Sequence, residues 1–237
     1  GKGNVMALST ESQDAKNGFN NGRWNLYNLE WENAYKSFSY AIEQDPNFAL
    51  AYAMRARTSF FLGNQGDIAD DLDIAVSMSL NASKDESDMI NAIANDMNNG
   101  TSTFNVLMET LADKHSDDSF LAFETVFATI SDRGADVVLD RAKALYAMNP
   151  NFTPALNMMG YAYMDKGDLD NAGRVLQEQV RRASASANPY DSMGDYYLAI
   201  EDNVSALKYF EQSAKMGLKA SVAKADSLKA EIDKENE

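Results

Sequence analysis

Two pairs of charged residues are spaced so that their side chains would act together. Arg23 and Arg57 lie 34 residues apart, each beside aromatic residues, and neighbouring guanidinium groups can grip a carboxylate bidentately. Asp191 and Asp195 lie four residues apart, one turn of a helix, so their carboxylates share a face and could receive a cation or a basic segment. Each pair also has a plainer reading. The arginines could pair with local acids such as Glu30 or Asp67, and the aspartates could simply be a solvated acidic face. A divalent metal is the weaker use of Asp191 and Asp195, because no histidine and no third ligand accompany them.

Little other chemistry is available. Cysteine is absent, which removes disulfides, thiolate nucleophiles and zinc–thiolate sites. The single histidine, His115, sits in Asp113-Lys114-His115-Ser116 at an expected helix end and reads as a solvated residue suited to the helix dipole. The run Asp67, Asp70, Asp71, Asp73 lacks the order and terminal Glu of a calcium loop, and helical phase places it on an outer, solvated face. No glycine-rich phosphate loop, no Ser/His/Asp set and no metal triad is present, so neither catalysis nor a cofactor is expected. The net charge of -15 argues against nucleic acid and against anionic membrane surfaces. No apolar run approaches the roughly 18 residues of a membrane span. The chain starts Gly1-Lys2-Gly3 without methionine, which fits removal of an upstream segment such as a secretion signal. An exported or periplasmic location is slightly favoured over a cytoplasmic one.

The elements that must position these residues read as helices throughout. Leu156-x-x-Met159-Gly160-x-x-Tyr163, the turn Lys166-Gly167-Asp168 and Ala172-x-x-x-Leu176 recur 34 residues on as Met193-Gly194-x-x-Tyr197 and Ala206-x-x-x-Phe210. A small residue at Gly160 or Gly194 admits a close neighbour. The aromatic three positions later lies on the same face, and the bulky residue after each alanine is the knob. Near the start, Gly22, Ala34-x-x-x-Phe38 and the Asp45-Pro46 stop follow the same scheme, and the next unit repeats it with Tyr52, Ala56, Gly63-Asn64, Leu72 and Ala75. Gly18 stands where a large aromatic is expected, and Trp31 is expected to fill part of that space. From 82 to 116 the motif fades while helical periodicity continues through Met89, Ile90, Ile93, the Asn98-Asn99-Gly100 turn, Phe104, Met108 and Leu111. Asp117 and Asp118 then open a helix bearing Phe120, Phe123, Val126 and Phe127.

This pattern resembles the tetratricopeptide repeat, W-x2-L-G-x2-Y…A-x3-F…P, whose period is about 34 residues. The resemblance implies an all-α, right-handed superhelical solenoid of antiparallel helix hairpins. Two hairpins are expected at 12–82, a degenerate one at 83–116 that continues the superhelix or breaks it, three at 117–217, and a capping helix with a charged tail at 218–237. In the capping helix Ala220, Ala223, Leu228 and Ile232 are expected to face inward. The resemblance also implies a non-enzymatic module or assembly scaffold that binds a segment of another protein in a concave groove lined by the first helix of each hairpin. By position, the lining residues are Phe19, Asn20, Arg23, Tyr27, Ala53, Met54, Arg57 and Phe61, then Asn157, Met158, Tyr161, Met164, Asp191, Ser192, Asp195 and Leu198. A second function is a small-molecule or glycan-binding component of an exported system, built around Tyr161, Asp191 and Asp195.

Overall fold

The computed structural model describes residues 3–64, 66–130 and 133–236. Gly1 and Lys2 of the chain start, and Glu237 of the charged tail, lie outside the described residues. Regular structure among the described residues is helical throughout, in thirteen α-helices and one 3-10 turn. The chain divides into two compact units, residues 1–125 and 126–237.

In the N-terminal unit, α1 (Gln13–Tyr27) pairs with α2 (Trp31–Gln44), α3 (Ala49–Leu62) with α4 (Ile68–Met78), and α5 (Lys84–Asn99) with α6 (Thr103–Lys114). The helix starts follow local chemistry. Ser12 Oγ accepts from Ala15 N at 3.1 Å, and Ser83 Oγ accepts from Glu86 N at 3.2 Å, each satisfying an amide the helix cannot. Asp118 Oδ1 accepts from Phe120 N and Leu121 N, starting α7 (Ser119–Ala128), whose span crosses the division between the units. Phe19, Phe38, Phe48, Leu50, Met54, Ile90 and Met108 are fully or almost fully buried and form the unit's core.

The C-terminal unit contains α8 (Gly134–Met148), α9 (Pro154–Asp165), α10 (Leu169–Arg182), α11 (Asn188–Ala199), α12 (Asn203–Lys215) and α13 (Lys219–Glu235). Proline opens α9 and α11, where an amide hydrogen is not needed. Asp168 and Asp202 cap α10 and α12 through the amides of Asn171 and Ser205. Leu156, Leu176, Met193, Phe210 and Leu228 form this unit's core.

The glycines of the repeat work as their spacing predicts. A Cβ on Gly22 would lie 2.5 Å from the Phe38 ring, one on Gly160 would lie 2.3 Å from Leu176, and one on Gly194 would lie 2.4 Å from Phe210. In each hairpin the knob of the second helix occupies the volume a side chain would need. Turn chemistry is less uniform. Gly63 and Gly167 hold left-handed backbone at the hairpin turns, whereas the positions 34 residues away are Leu29 (φ 59°) and Glu201 (φ 62°), which adopt it without that freedom.

Trp31 does not fill the Gly18 site. It begins α2 and stacks on Phe61 at 5.6 Å, while Gly18 is closed off by Tyr40 and the backbone of Ser37 and Ala41. Asp71 is not solvated: it is buried and accepts both Nε and an Nη of Arg55, at 2.8 and 2.7 Å. His115 is partly buried and bonds Asp85 through Nε2 at 2.7 Å. Burial opposes ionisation of Asp85, but hydrogen bonds from Lys114 and His115 outweigh it and hold the carboxyl below its usual range. In α13 the inward stripe is Ser221, Ala225 and Leu228, with Ile232 partly buried, while Ala220 and Ala223 are exposed. Ser221 faces inward with its hydroxyl donating to Asp191 at 2.6 Å, on the same stripe as Ala225 and Leu228.

Candidate functional site

In the N-terminal unit the face of α1 and α3 carries Arg23, Tyr27 and Arg57, with a carboxylate among them. Arg57 grips Glu124 of α7 through two bonds, 2.7 Å to Oε1 and 3.2 Å to Oε2, and its guanidinium lies 4.5 Å from the centre of the Phe104 ring. Tyr27 Oη donates to Glu124 Oε1 at 2.6 Å. Arg23 is buried, donates to Asn20 Oδ1 at 2.6 Å and lies over Phe120 at 4.0 Å and Phe19 at 4.7 Å. Burial pulls the Arg23 guanidinium below its ordinary value against the nearby Asp118, Glu124 and Glu86. Burial acts the same way on Arg57, but the directly bonded Glu124 overcomes it and holds its pKa above the ordinary value. Burial, reinforced by Glu124, raises Tyr27 well above its usual range.

The two arginines have Glu124 as a common acidic neighbour. The acid that bonds Arg57 is Glu124, 67 residues on, and neither Glu30 nor Asp67 takes that place. Phe19 is fully buried between Phe38 and Phe48, so it belongs to the core and not to a lining face. Asn20 and Phe61 are partly exposed. The segment before Ser12, which carries no helical pattern, is also tied down. Asn4 N donates to Asp117 and Met6 N to Asp118, while Ser9 N donates to Glu86 at 2.8 Å. Only the short apolar run Val5-Met6-Ala7-Leu8, of which Met6 is buried, could have signalled that packing in the sequence.

In the C-terminal unit the face of α9 and α11 carries the acidic pair. Lys224 Nζ of α13 lies between the carboxylates, 2.8 Å from Asp191 Oδ2 and 3.0 and 3.1 Å from the two oxygens of Asp195. Ser221 Oγ donates to Asp191 Oδ1 at 2.6 Å, and Tyr161 Oη donates to Asp195 Oδ2 at 2.5 Å. Ser192 Oγ donates to Asn157 Oδ1 at 2.5 Å. A polar ladder thus joins α9, α11 and α13. Burial, then Asp195, pushes the Tyr161 phenol far up, keeping it a donor. Burial lowers the Lys224 ammonium, but its bonds to Asp191 and Asp195 prevail and raise it. The place between the carboxylates that an added cation or a small polar ligand would take is filled by the chain's own lysine. Sequence periodicity contains no hint of that, because Lys224 is one of several lysines on α13.

Beside the ladder, Tyr161 and Asp195, 34 residues apart, meet directly. By the same offset Met164 and Leu198 fall on neighbouring helices. Met164 is partly exposed and Leu198 is 40% exposed. Among the described residues no group of three or more His, Cys, Asp or Glu could hold a metal ion. No helix among them is long and apolar enough to cross a membrane.

The sequence matches no protein-family model and no curated protein. Solved structures do share its fold. Human IFIT1, solved as a dimer with PPP-AAAA, aligns with 90% of this chain and 54% of its own at a TM-score of 0.62 and 11% identity. A tetratricopeptide repeat protein from Parabacteroides merdae aligns with 92% of this chain and 84% of its own, TM-score 0.59, 13% identity. Yeast Tom70 aligns with 89% and 47%, TM-score 0.56, 15% identity. The chain spans about half the length of IFIT1 and of Tom70. At these identities the likeness is one of fold, and the fold is the all-α solenoid of the tetratricopeptide-repeat type.

Proposed function

We propose that this chain, with its tetratricopeptide-repeat fold, is a non-enzymatic protein-interaction module or assembly scaffold that receives a segment of a partner protein. The observation that carries this reading is the α9–α11 face. The hydrogen-bonded ladder of Asn157, Ser192, Tyr161, Asp195 and Lys224 joins the helices, and beside it Met164 is partly exposed and Leu198 exposed. A rigid polar framework with apolar side chains that the core does not use suits recognition of a helical or extended segment. The partly exposed Lys224–Asp195 pair would select its charge pattern. In the N-terminal unit Asn20, Arg57 and Phe61 occupy the corresponding role, with less of their surface open.

The test is affinity capture from soluble and membrane fractions of the source cells, comparing the native chain with Met164→Glu/Leu198→Glu. Both positions are at the surface, so the double variant should keep its helicity and melting. A protein retained by the native chain and reduced about tenfold or more in the variant, a loss of ~1.4 kcal/mol, supports the reading. Equal retention moves the partner site off this face, and capture of no protein by either chain argues against an interaction module.

A further inference from the structure

A second concavity lies on another side of α11. Asp170, Gly173, Arg174 and Gln177 of α10, with Tyr196 and Tyr197 of α11, line a cleft of about 480 Å³. Gly173 gives it its form, because a Cβ there would lie 2.6 Å from the hydroxyl end of the Tyr196 ring, which occupies that space instead. Tyr196 meets Tyr197 at 5.3 Å with ring planes 68° apart, and Tyr197 is backed by a stack through Tyr209 to Tyr190 at 5.3 and 6.4 Å. Two aromatic walls thus stand nearly perpendicular, one braced from behind.

The polar groups around these walls are uncommitted. Among the described residues, Asp170, Gln177 and the hydroxyls of Tyr196 and Tyr197 have no hydrogen bond or ion pair within the protein, and Arg174 bonds only Asn171 on its own helix. The Asp170 charge reaches Tyr196, whose phenol is raised first by burial, then by Tyr197 and Asp170.

We propose that this cleft binds a short, extended, proline-containing peptide segment that carries a basic residue, at a site separate from the α9–α11 face. A pyrrolidine ring packs against tyrosine rings without stranding a donor. A polyproline segment makes no internal hydrogen bonds, so its carbonyls are free to accept from the tyrosine hydroxyls, Arg174 and Gln177. The volume, within the roughly 300–1,000 Å³ of small-ligand sites, holds only a few residues of such a segment. Arg174 balances Asp170 within the lining, so a cation is favoured only beside Asp170 itself, one helical turn from Arg174 and helped by the chain's net charge of -15, where a lysine or arginine could also lie over Tyr196. A saccharide would stack on the same rings but brings no cation for Asp170.

The experiment titrates fluorescein-labelled Pro-Pro-Arg-Pro-Pro against the full chain by anisotropy, with Pro-Pro-Gln-Pro-Pro, Ala-Ala-Arg-Ala-Ala and labelled maltohexaose as controls. Saturable binding of the first peptide is expected, weakened about tenfold by Tyr196→Ala, which is ~1.4 kcal/mol for the loss of one aromatic wall. Gly173→Ala serves as the second variant: it displaces the Tyr196 ring from the backbone without removing it, and should weaken binding while leaving the melting curve in place. Asp170→Asn should reduce the arginine peptide to the affinity of the glutamine peptide. Met164→Glu/Leu198→Glu should leave all of this unchanged, which keeps this result independent of the partner site proposed above. No saturable peptide binding, or an affinity indifferent to both Tyr196→Ala and Gly173→Ala, overturns the proposal. Maltohexaose binding that is lost in those variants, without peptide binding, overturns it in favour of a glycan site.

Discussion

The first helices of the N-terminal unit present arginines on their shared face, and those of the C-terminal unit present aspartates. Each set is answered by the opposite charge from another helix of the same unit: Glu124 of α7 bonds Arg57, and Lys224 of α13 bridges Asp191 and Asp195. The arginines come from positions of α1 and α3 that the repeat makes equivalent, whereas Asp191 and Asp195 are one turn apart on α11 alone. A buried cluster of one sign is costly until a counter-charge arrives. The two solutions differ in depth. Glu124 and Arg57 are 5% and 14% exposed at their side chains, and their geometry is bidentate, whereas Lys224 is 37% exposed and offers a point charge on a flexible stem. The N-terminal pair is therefore the more closed, and the C-terminal cluster the more exposed to water.

That contrast can be broken most sharply at Glu124. Glu124→Ala leaves the Arg57 guanidinium buried without its carboxylate and should destabilise the N-terminal unit by about 3 kcal/mol. Both tryptophans, Trp24 and Trp31, lie in that unit, so tryptophan fluorescence during urea unfolding reports it separately from the whole-chain helicity seen by circular dichroism. A change below about 1 kcal/mol would mean that the clamp is ornamental. Adding Arg57→Met should recover most of the loss, because the stranded charge and not the missing bond causes it.

The steric rule common to both units should give equal effects. Gly22→Ala forces the Phe38 ring aside and Gly194→Ala forces Phe210 aside, each costing about 2 kcal/mol by overpacking. Markedly unequal denaturation midpoints would show that one unit repacks more easily than the other. A smaller effect is expected at Lys224→Met, about 1 kcal/mol, because water screens a pair whose cation is more than a third exposed. It should shrink further in high salt, as the Glu124 effect should not.

The turns offer a gain. Leu29 and Glu201 hold left-handed backbone that Gly63 and Gly167 adopt freely, so Leu29→Gly and Glu201→Gly should each raise stability by up to about 1 kcal/mol. A loss at either would show that its side chain contributes more than its backbone strain removes.

The smallest effects are in pH, and they run in opposite directions. Burial raises the Glu86 carboxyl above its ordinary 4.5, so the folded N-terminal unit holds that proton more tightly than the unfolded chain. Its contribution is full below 4.5 and lost as pH rises through the raised value. Glu178, bonded by Arg181 and then Arg182, is held at about 2. Its contribution to the C-terminal unit is present above the ordinary 4.5 and lost as pH falls toward 2. Glu86→Gln should flatten the pH slope of the fluorescence-detected midpoint above pH 4.5, and Glu178→Gln should leave that slope untouched while altering the acid limb seen by circular dichroism. An unchanged slope in Glu86→Gln would assign the titration elsewhere.

Much of the fold was legible because close packing recurs with a fixed period. Gly22, Gly160 and Gly194 could be matched to Phe38, Leu176 and Phe210 by counting residues, since a glycine under a bulky knob is a local steric demand that each hairpin repeats. The helix starts at Ser12, Ser83, Asp168 and Asp202 are similarly local. Charge partners are not. Arg57 finds Glu124 from 67 residues away, and no periodic rule links a repeat position to a residue on α7. The same limit misplaced Phe19, Asp71 and the inward stripe of α13, where burial depends on which neighbour approaches and not on the helix's own pattern. The tyrosine cleft was missed because its walls come from a second helix and the following first helix, a junction that the repeat motif does not single out.

By itself, then, the order of residues determined the helical hairpins, their period, their turns and the glycine-to-knob fit, all of which are set by interactions within about one repeat. Only the tertiary structure decided which charges are spoken for and which surfaces stay open. Charge pairing and exposure depend on side chains brought together across long stretches of chain, where position along the sequence carries almost no information about distance in space.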